Sequence, residues 1–529
     1  MNSTTFSVSE WPPKLTDAQI EALTRHATAY ALSHGLTFLP PCITQPSSPP
    51  SAVHAPISLI PSPFPRSIFE RAQRLQSLYN ILYGRVSMDD DFLDKVMGAV
   101  EGVGKVDEFM GTLWRGWKKI RDEGIVQPLH LGLCRSDYLL HAEEDGKLFL
   151  KQVEFNTIAP SFAPLSERTA AMHRYIYALT DYYRISPFLT PKNFPANDAT
   201  TRLVHGLAEA HKAYGVPGAY ILSVVLPNER NVFDQRWLEY ELLEKYSIRV
   251  VRQTFEELAS SATLDPETRT LQLTLPTNPS STIEISVVYL RAGYAPSDCP
   301  TPKHYDARFL LERSRAIKCP TIPLQLAGGK KVQEVLSRPC ILEKYMSDSE
   351  AKELRETWMP MWSLDDPNPS ISSPDYVPRL GMDEPNGTML ARALADELVL
   401  KPQRENGGNN VYKSEIHPFL DTLPAQEREA WIAMKLISPP RGIGSYFVRP
   451  GSTCNNDSDA SENVQGSKAV RTESTSELGI FGWMLFSRET GVHECGDAGW
   501  LVRTKGVESN EGGVAHGFAV LDSVLLVDG

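Results

Sequence analysis

The chain has 529 residues, 41% of them hydrophobic, and a net charge of −12. That length supports two or three structural units of roughly 150 residues each. The acidic balance lacks the basic stripe of a nucleic-acid binder. No run approaches the ~18–20 apolar residues that cross a bilayer, and the first ten residues lack a secretory pattern.

In chain order, the first expected element is a helix. Thr16 and Gln19 form a capping-box pair, Ile20, Leu23, Ala27 and Tyr30 share one face, and Gly35 ends it. A Pro/Ser linker covers residues 45–56, and helical patterning returns over 65–83 and 91–121. Strands are expected at 147–156, 222–226, 248–252 and 283–290, with a helix at 236–246. This strand–helix–strand rhythm between about 218 and 327 predicts a compact α/β unit with a largely parallel sheet. Further strands are expected at 397–400 and 501–505. Two segments, 365–385 and 451–476, are too polar to offset their ordering entropy and read as poorly ordered, the second as a mobile surface insertion. No internal repeat is present.

The cysteines, Cys42, Cys134, Cys299, Cys319, Cys340, Cys454 and Cys495, are widely spaced with no CxxC pair. This fits reduced thiols in a cytosolic protein rather than a disulfide frame or a zinc site.

Three clusters could carry chemistry. In the strand around 151–157 (KQVEFNT), Glu154 and Asn156 point the same way, about 6.6 Å apart, between apolar Val153 and Phe155. A carboxylate and an amide oxygen on one face suit Mg²⁺, although two solvent-facing polar residues give the same alternation. The second cluster is 398–412, where an apolar strand delivers Lys401 and Glu405 to a glycine pair, Gly407 and Gly408. Glycines let backbone N–H groups converge on an anion, and no Walker A loop occurs anywhere in the chain. The third places Arg503 and Lys505 on one strand face ahead of a glycine-rich stretch at 509–517, a pairing able to grip a carboxylate and a phosphate; a solvated basic edge strand reads the same way. Weaker candidates are the pairs Lys330–Lys331, Arg291–Tyr294 and Arg135–Asp137, where solvated lysines or plain salt bridges also fit. With no GxSxG elbow, HExxH helix or kinase motif set, the inventory favours phosphoryl transfer by positioning and electrostatics.

These segments, taken together, resemble the eukaryotic-type glutathione synthetases of the ATP-grasp superfamily. The stretches that carry the resemblance are 131–138 (LGLCRSDY), 151–157, 229–236 (ERNVFDQR), 291–294 (RAGY), 311–314 (LERS), 325–332 (QLAGGKKV), 400–412 (LKPQRENGGNNVY), 476–482 (SELGIFG) and 503–515 (RTKGVESNEGGVA). The resemblance implies an α/β (α+β) ATP-grasp fold with a lid and an inserted parallel-sheet substrate-binding domain. The expected divisions are an N-terminal core part over 1–217, the insert over 218–327, and a C-terminal part with lid and glycine-rich loops over 328–529.

It also implies roles. Glu154, Asn156 and Glu405 would hold two Mg²⁺ ions on the ATP phosphates. Lys330 and Lys401 would contact ATP, under a loop of Gln403, Arg404, Glu405, Asn406, Gly407, Gly408, Asn409 and Asn410. Tyr412, Met434, Lys435, Leu436, Ile437, Glu477, Lys505 and Glu511 would complete the nucleotide site. Arg135, Ile158, Ala159, Pro160, Ser161, Glu229, Arg230, Asn231, Gln235, Arg291 and Tyr294 would grip γ-glutamylcysteine, and Arg503, Val514 and Ala515 its cysteinyl end. Arg135, Arg503 and Lys401 are the expected catalytic residues, joining γ-glutamylcysteine to glycine through an acyl phosphate. A related ligase using another small amino acid is the alternative; a hydroxyl-directed phosphotransferase and a catalytically dead scaffold are competing readings. A cytoplasmic homodimer is implied. The chain departs from the family pattern at Ala292, at Lys435–Leu436, at Glu511, at Ala159–Pro160 and in the length of the 451–476 insertion.

Overall fold

The structure is a computed structural model that describes residues 11–40, 51–369, 386–405, 407–450, 469–509, 514 and 517–528. It is a mixed helix and sheet fold. One large sheet runs through most of it. From one edge its order is Gly444–Val448, Ile57–Ser58, Ala519–Asp522, Gly491–Gly506, Ala469–Ser487, Leu129–Ala142, Ile317–Cys319, Asn278–Leu290, Leu271–Leu275 and Ala262–Leu264. The strand Leu148–Asn156 pairs antiparallel with Leu129–Ala142.

The α/β rhythm expected over 218–327 takes the form of parallel strands. Tyr220–Val224 lies parallel to both Asn278–Leu290 and Val250–Gln253, and Asn278–Leu290 lies parallel to Ile317–Cys319. Lys318 pairs with His130, so these strands continue the same large sheet. A second, antiparallel sheet stands apart, in the order Met361–Ser363, Ile432–Lys435, Leu398–Lys401, Val411–Tyr412. Its own apolar cluster includes Trp362, Leu390, Leu400, Ile416 and Ala433.

The first helix is Asp17–Ser33, capped by Thr16 and Gln19 as their spacing predicts. Gly35, at φ +68, takes the chain out of it, and a Cβ there would meet the Trp237 ring at 2.9 Å. The long helix Arg66–Ser87 lies against the central strands and buries Phe69, Leu75, Tyr79, Leu82, Tyr83 and Val86. Tyr83 stacks on Phe155 at 4.1 Å. That stacking pins Phe155 to the core side of its strand, so alternation turns Glu154 and Asn156 to the other side.

Two expectations need correcting. Residues 469–476, read as the end of a mobile insertion, belong to the strand Ala469–Ser487, where 469–473 pair with Gly444–Val448 and 474–476 with the end of Gly491–Gly506. Their Ser/Thr-rich composition masks a strand because backbone hydrogen bonds, not side-chain burial, hold it there. Residues 451–468 and 370–385 lie outside the described residues. Val153, which strict alternation would put on the same face as Phe155, instead lines the cleft. The register jumps there, from Tyr138 opposite Gln152 to Asp137 opposite Glu154. Val153 is therefore the extra residue of a β-bulge, and a bulge re-aims side chains.

Candidate active site

The large sheet and the four-stranded sheet face each other across a cavity of about 1090 Å³. Its floor is built by strand register. Asn156 lies opposite Arg135, Glu154 opposite Asp137, Gly479 opposite Asp137, and Glu477 opposite Arg503. Neighbouring antiparallel strands bring directly opposed side chains about 5 Å apart, so segments far apart in sequence meet here as one charged surface.

The ion pairs are specific. Lys330 Nζ lies 3.1 Å from Glu154 Oε2 and 3.0 Å from Glu405 Oε1. Lys401 Nζ donates to the Val153 carbonyl oxygen at 2.8 Å. That acceptor lies at the bulge, where a carbonyl is released from regular strand pairing. Asp137 accepts from Arg135 Nε at 2.5 Å and Arg135 Nη2 at 2.8 Å, from Asn156 Nδ2 at 2.9 Å, and from Arg503 Nη2 at 3.2 Å. Arg503 also donates to Glu477. Arg291 reaches the 158–161 loop through the Pro160 carbonyl at 2.9 Å and Ser161 Oγ at 2.6 Å.

Burial and charge move several ionisations. Burial would raise the Glu154 carboxyl, but Lys330 and Lys401 outweigh it and bring it down to about 2. Glu405 goes the other way, pushed up to about 7 by burial and by the negative charge of Glu154, against the pull of Lys330. Burial, with Lys330 nearby, lowers Lys401 to about 8. Lys330 and Arg503 are both raised despite burial, the first by Glu154 and Glu405, the second by Glu477 and Asp137. Two guanidinium nitrogens, Arg291 Nε and Arg503 Nε, are buried with no hydrogen-bond partner among the described residues. A buried donor left unmade is costly, and an anion in the cavity would satisfy it.

Most residues singled out by sequence line this one cavity. They include Arg135, Glu154, Asn156, Ile158, Ala159, Pro160, Ser161, Glu229, Asn231, Arg291, Tyr294, Lys330, Lys401, Arg404, Glu405, Gly407, Gly408, Asn409, Asn410 and Tyr412. Met434, Lys435, Leu436, Ile437, Glu477, Arg503, Lys505 and Val514 complete that set.

Of the described residues that the resemblance assigns to the site, three do not reach the cavity. Gln403 is fully buried and accepts from the Lys331 N–H while donating to the Ala430 carbonyl, so it anchors the root of the glycine loop. Arg230 Nε donates to the Leu39 carbonyl at 3.3 Å. Gln235 is spent on Glu229 and Arg252. Each sits in a motif whose neighbours line the cavity, and linear adjacency cannot tell a lining side chain from its support. Asn406, Glu511 and Ala515 lie outside the described residues.

Sequence reasoning passed over Val153, Arg441, Glu473, Thr475 and Phe518, which also line the cavity, and undervalued Asp137. The Arg-x-Asp alternation of 135–137 was the available signal for the last; the bulge had none. At the end of the strand Ile432–Lys435, Lys435 and Leu436 spend their backbone N–H groups on the Pro360 and Glu397 carbonyls.

The family described as eukaryotic glutathione synthase, ATP binding domain, matches residues 17–526. The chain belongs to that family. The glutathione synthetase of Xenopus laevis is 37% identical over 91% of this chain and 92% of its own length. That of Homo sapiens is 36% identical over 97% and 99%. Among solved structures, a glutathione synthetase-like effector from Globodera pallida superposes with a TM-score of 0.71 at 23% identity, covering 97% of this chain and 98% of its own; that likeness speaks to fold alone. Membership makes the chain an ATP-dependent ligase acting on small molecules.

Proposed function

We propose that the cleft ligates γ-glutamylcysteine to glycine, forming glutathione, ADP and phosphate through an acyl phosphate. The observation that carries this reading is the meeting of Glu154, Glu405, Lys330 and Lys401 in one cavity that Arg135, Arg503 and Arg291 also line. The first group suits a metal-bound polyphosphate and the second the carboxylates of a peptide.

The donor set fits Mg²⁺. Glu154 and Glu405 already converge on a single cation, the Lys330 ammonium, and Asn156 adds an amide oxygen from the same strand face. Such hard oxygen donors are what Mg²⁺ takes when it also keeps phosphate and water ligands. Glu154, Asn156 and Glu405 would hold two ions, which supply charge neutralisation on the transferring phosphoryl group.

In the first step the cysteinyl carboxylate attacks the γ-phosphorus and ADP departs with the bonding electrons. Lys401 and Lys330 offset charge on the phosphate oxygens, and Arg503 and Arg135 hold the attacking carboxylate. In the second step the glycine amine attacks the acyl carbon, phosphate leaves, and the amine gives up its proton. Arg291 with Tyr294, from the 218–327 unit, holds the γ-glutamyl end. An acyl phosphate is lost to water in an open site, and the glycine loop 403–410, rooted by Gln403, is the element suited to cover it.

The test is mass spectrometry of the product after incubation with ATP, Mg²⁺, γ-glutamylcysteine and a panel of small amino acids. Glutathione formed only with glycine supports the reading, whereas ADP released without amino-acid acceptor sinks it. We further propose a homodimer acting in the cytosol. The widely spaced cysteines support the compartment, and sedimentation of the purified chain at a monomer mass would refute the dimer.

A further inference from the structure

We propose that Asp137 is a positioning residue that sets the spacing of Arg135 and Arg503 and ties both to Asn156. This inference rests on the ligase reading of the same cleft.

The carboxylate of Asp137 has 1% of its side-chain surface exposed. Every hydrogen bond it accepts from these side chains comes from a residue assigned to ligand binding. Arg135 closes on it with two nitrogens, Asn156 Nδ2 adds a third bond and Arg503 Nη2 a fourth. Its oxygens are thus filled by protein donors, and as an anion it would repel both the peptide carboxylate and the phosphates. It therefore acts through the arginines, not on the reacting atoms. Without it, two buried guanidinium groups would lose the carboxylate they share, leaving Arg503 to Glu477 and the charge of Glu154, and like charges in a dry site separate.

Glycine at 479 is an independent sign that the pair's location matters. Gly479 lies directly opposite Asp137 in the neighbouring strand. A Cβ built there would sit 2.8 Å from Arg135 Cδ and 2.8 Å from Asp137 Oδ1. Those contacts are side-chain atoms of the ion pair, not backbone. A methyl group at 479 would therefore displace the pair while leaving the strand and every charge in place.

The arrangement has a kinetic signature. The two arginines keep their charge in Asp137→Asn, so they still attract an anionic peptide, but they no longer hold one geometry. Misplacement by about 1 Å costs a catalysed step far more than it costs binding. A loss that falls on kcat with KM spared marks interactions made only in the transition state.

The experiment measures kcat and KM for γ-glutamylcysteine per active site, titrated with the purified full chain, for the parent, Asp137→Asn and Gly479→Ala. The expected result is a drop in kcat of about 100-fold for the first and about 10-fold for the second, with KM within about threefold in both. A Gly479→Ala kcat within about twofold of the parent overturns the proposal, and it decides alone where Asp137→Asn does not fold. A rise in KM with kcat kept also overturns it, because that would make Asp137 a determinant of binding. A parent chain that makes no glutathione at all would instead overturn the ligase reading.

Discussion

The strand Gly491–Gly506 has two faces that use buried carboxylates in opposite ways. On the cleft face, Arg503 meets Asp137 and Glu477, and Arg135 joins the same carboxylate. On the other face, Thr504 donates to Asp522, which also accepts from Ser58 and Ser62, each at 2.6 Å. His173 closes that second network through Ser523 Oγ and the Ser58 carbonyl. One carboxylate is balanced by cations that a ligand can borrow; the other is satisfied by hydroxyl groups that nothing else needs. The lesson is that burial alone does not mark a functional acid. What marks it is whether its partners have donors left over, as Arg503 does at Nε.

The contrast breaks if the two faces respond alike to mutation. The largest expected effect belongs to the cleft. Glu405→Ala should lower turnover about 100-fold or more, since the proposed metal ligand and a partner of Lys330 are lost together. Its unfolding free energy should stay within about 1 kcal/mol of the parent, because Lys330 keeps Glu154. Activity within twofold at saturating Mg²⁺ would remove Glu405 from the metal site. The hidden face should behave in reverse. Asp522→Asn should cost about 2–4 kcal/mol in urea unfolding, because several buried donors lose their acceptor, while kcat of the folded enzyme changes less than about twofold.

Protonation sharpens the same comparison. Glu405 is pushed up to about 7, so below that pH a proton competes with the metal. Mg²⁺ binding should weaken as pH falls from about 8 to about 6 and should release a proton at the lower pH. Calorimetry in buffers of different ionisation enthalpy reads that proton, and Glu405→Gln should abolish it. On the hidden face, burial pushes His173 below its ordinary 6.5, with Asp522 opposing. As pH falls through about 6.5, the unfolded chain takes up the proton before the folded one, so stability should decline toward acid. His173→Gln should make the dependence of unfolding free energy on pH shallower than in the parent.

The smallest effect is expected from removing residues 451–468. Val448 and Ala469 are register partners, so a short turn can join the strands that flank the deletion. The melting temperature should shift by no more than about 3 °C. A larger drop would mean that those residues support one of the two faces.

Periodicity and residue type were enough to bring out Glu154 with Asn156 and Arg503 with Lys505, because alternation along one strand is a local property. The first helix was equally legible, since Thr16 and Gln19 cap it within a single turn. The glycine loop announced itself by composition, although Gln403 proved to be its anchor rather than part of its lining. The bulge at Val153 was invisible, because it arises from the register against Leu129–Ala142 and leaves no mark on residue type. The strand character of 469–476 was hidden for a related reason: its backbone pairing with Gly444–Val448 and with the end of Gly491–Gly506 tolerates polar side chains.

Residue chemistry and motif order therefore determined by themselves the family to which the chain belongs and most of the side chains that line the cavity. Only tertiary structure decided which acid faces which cation. It set Glu154 and Glu405 on either side of Lys330, and it gave Asp137 both arginines. The physical reason is range. Side-chain alternation and capping act over a few residues, whereas a buried ion pair is specified by strand register between segments hundreds of positions apart, as Arg503 and Asp137 are.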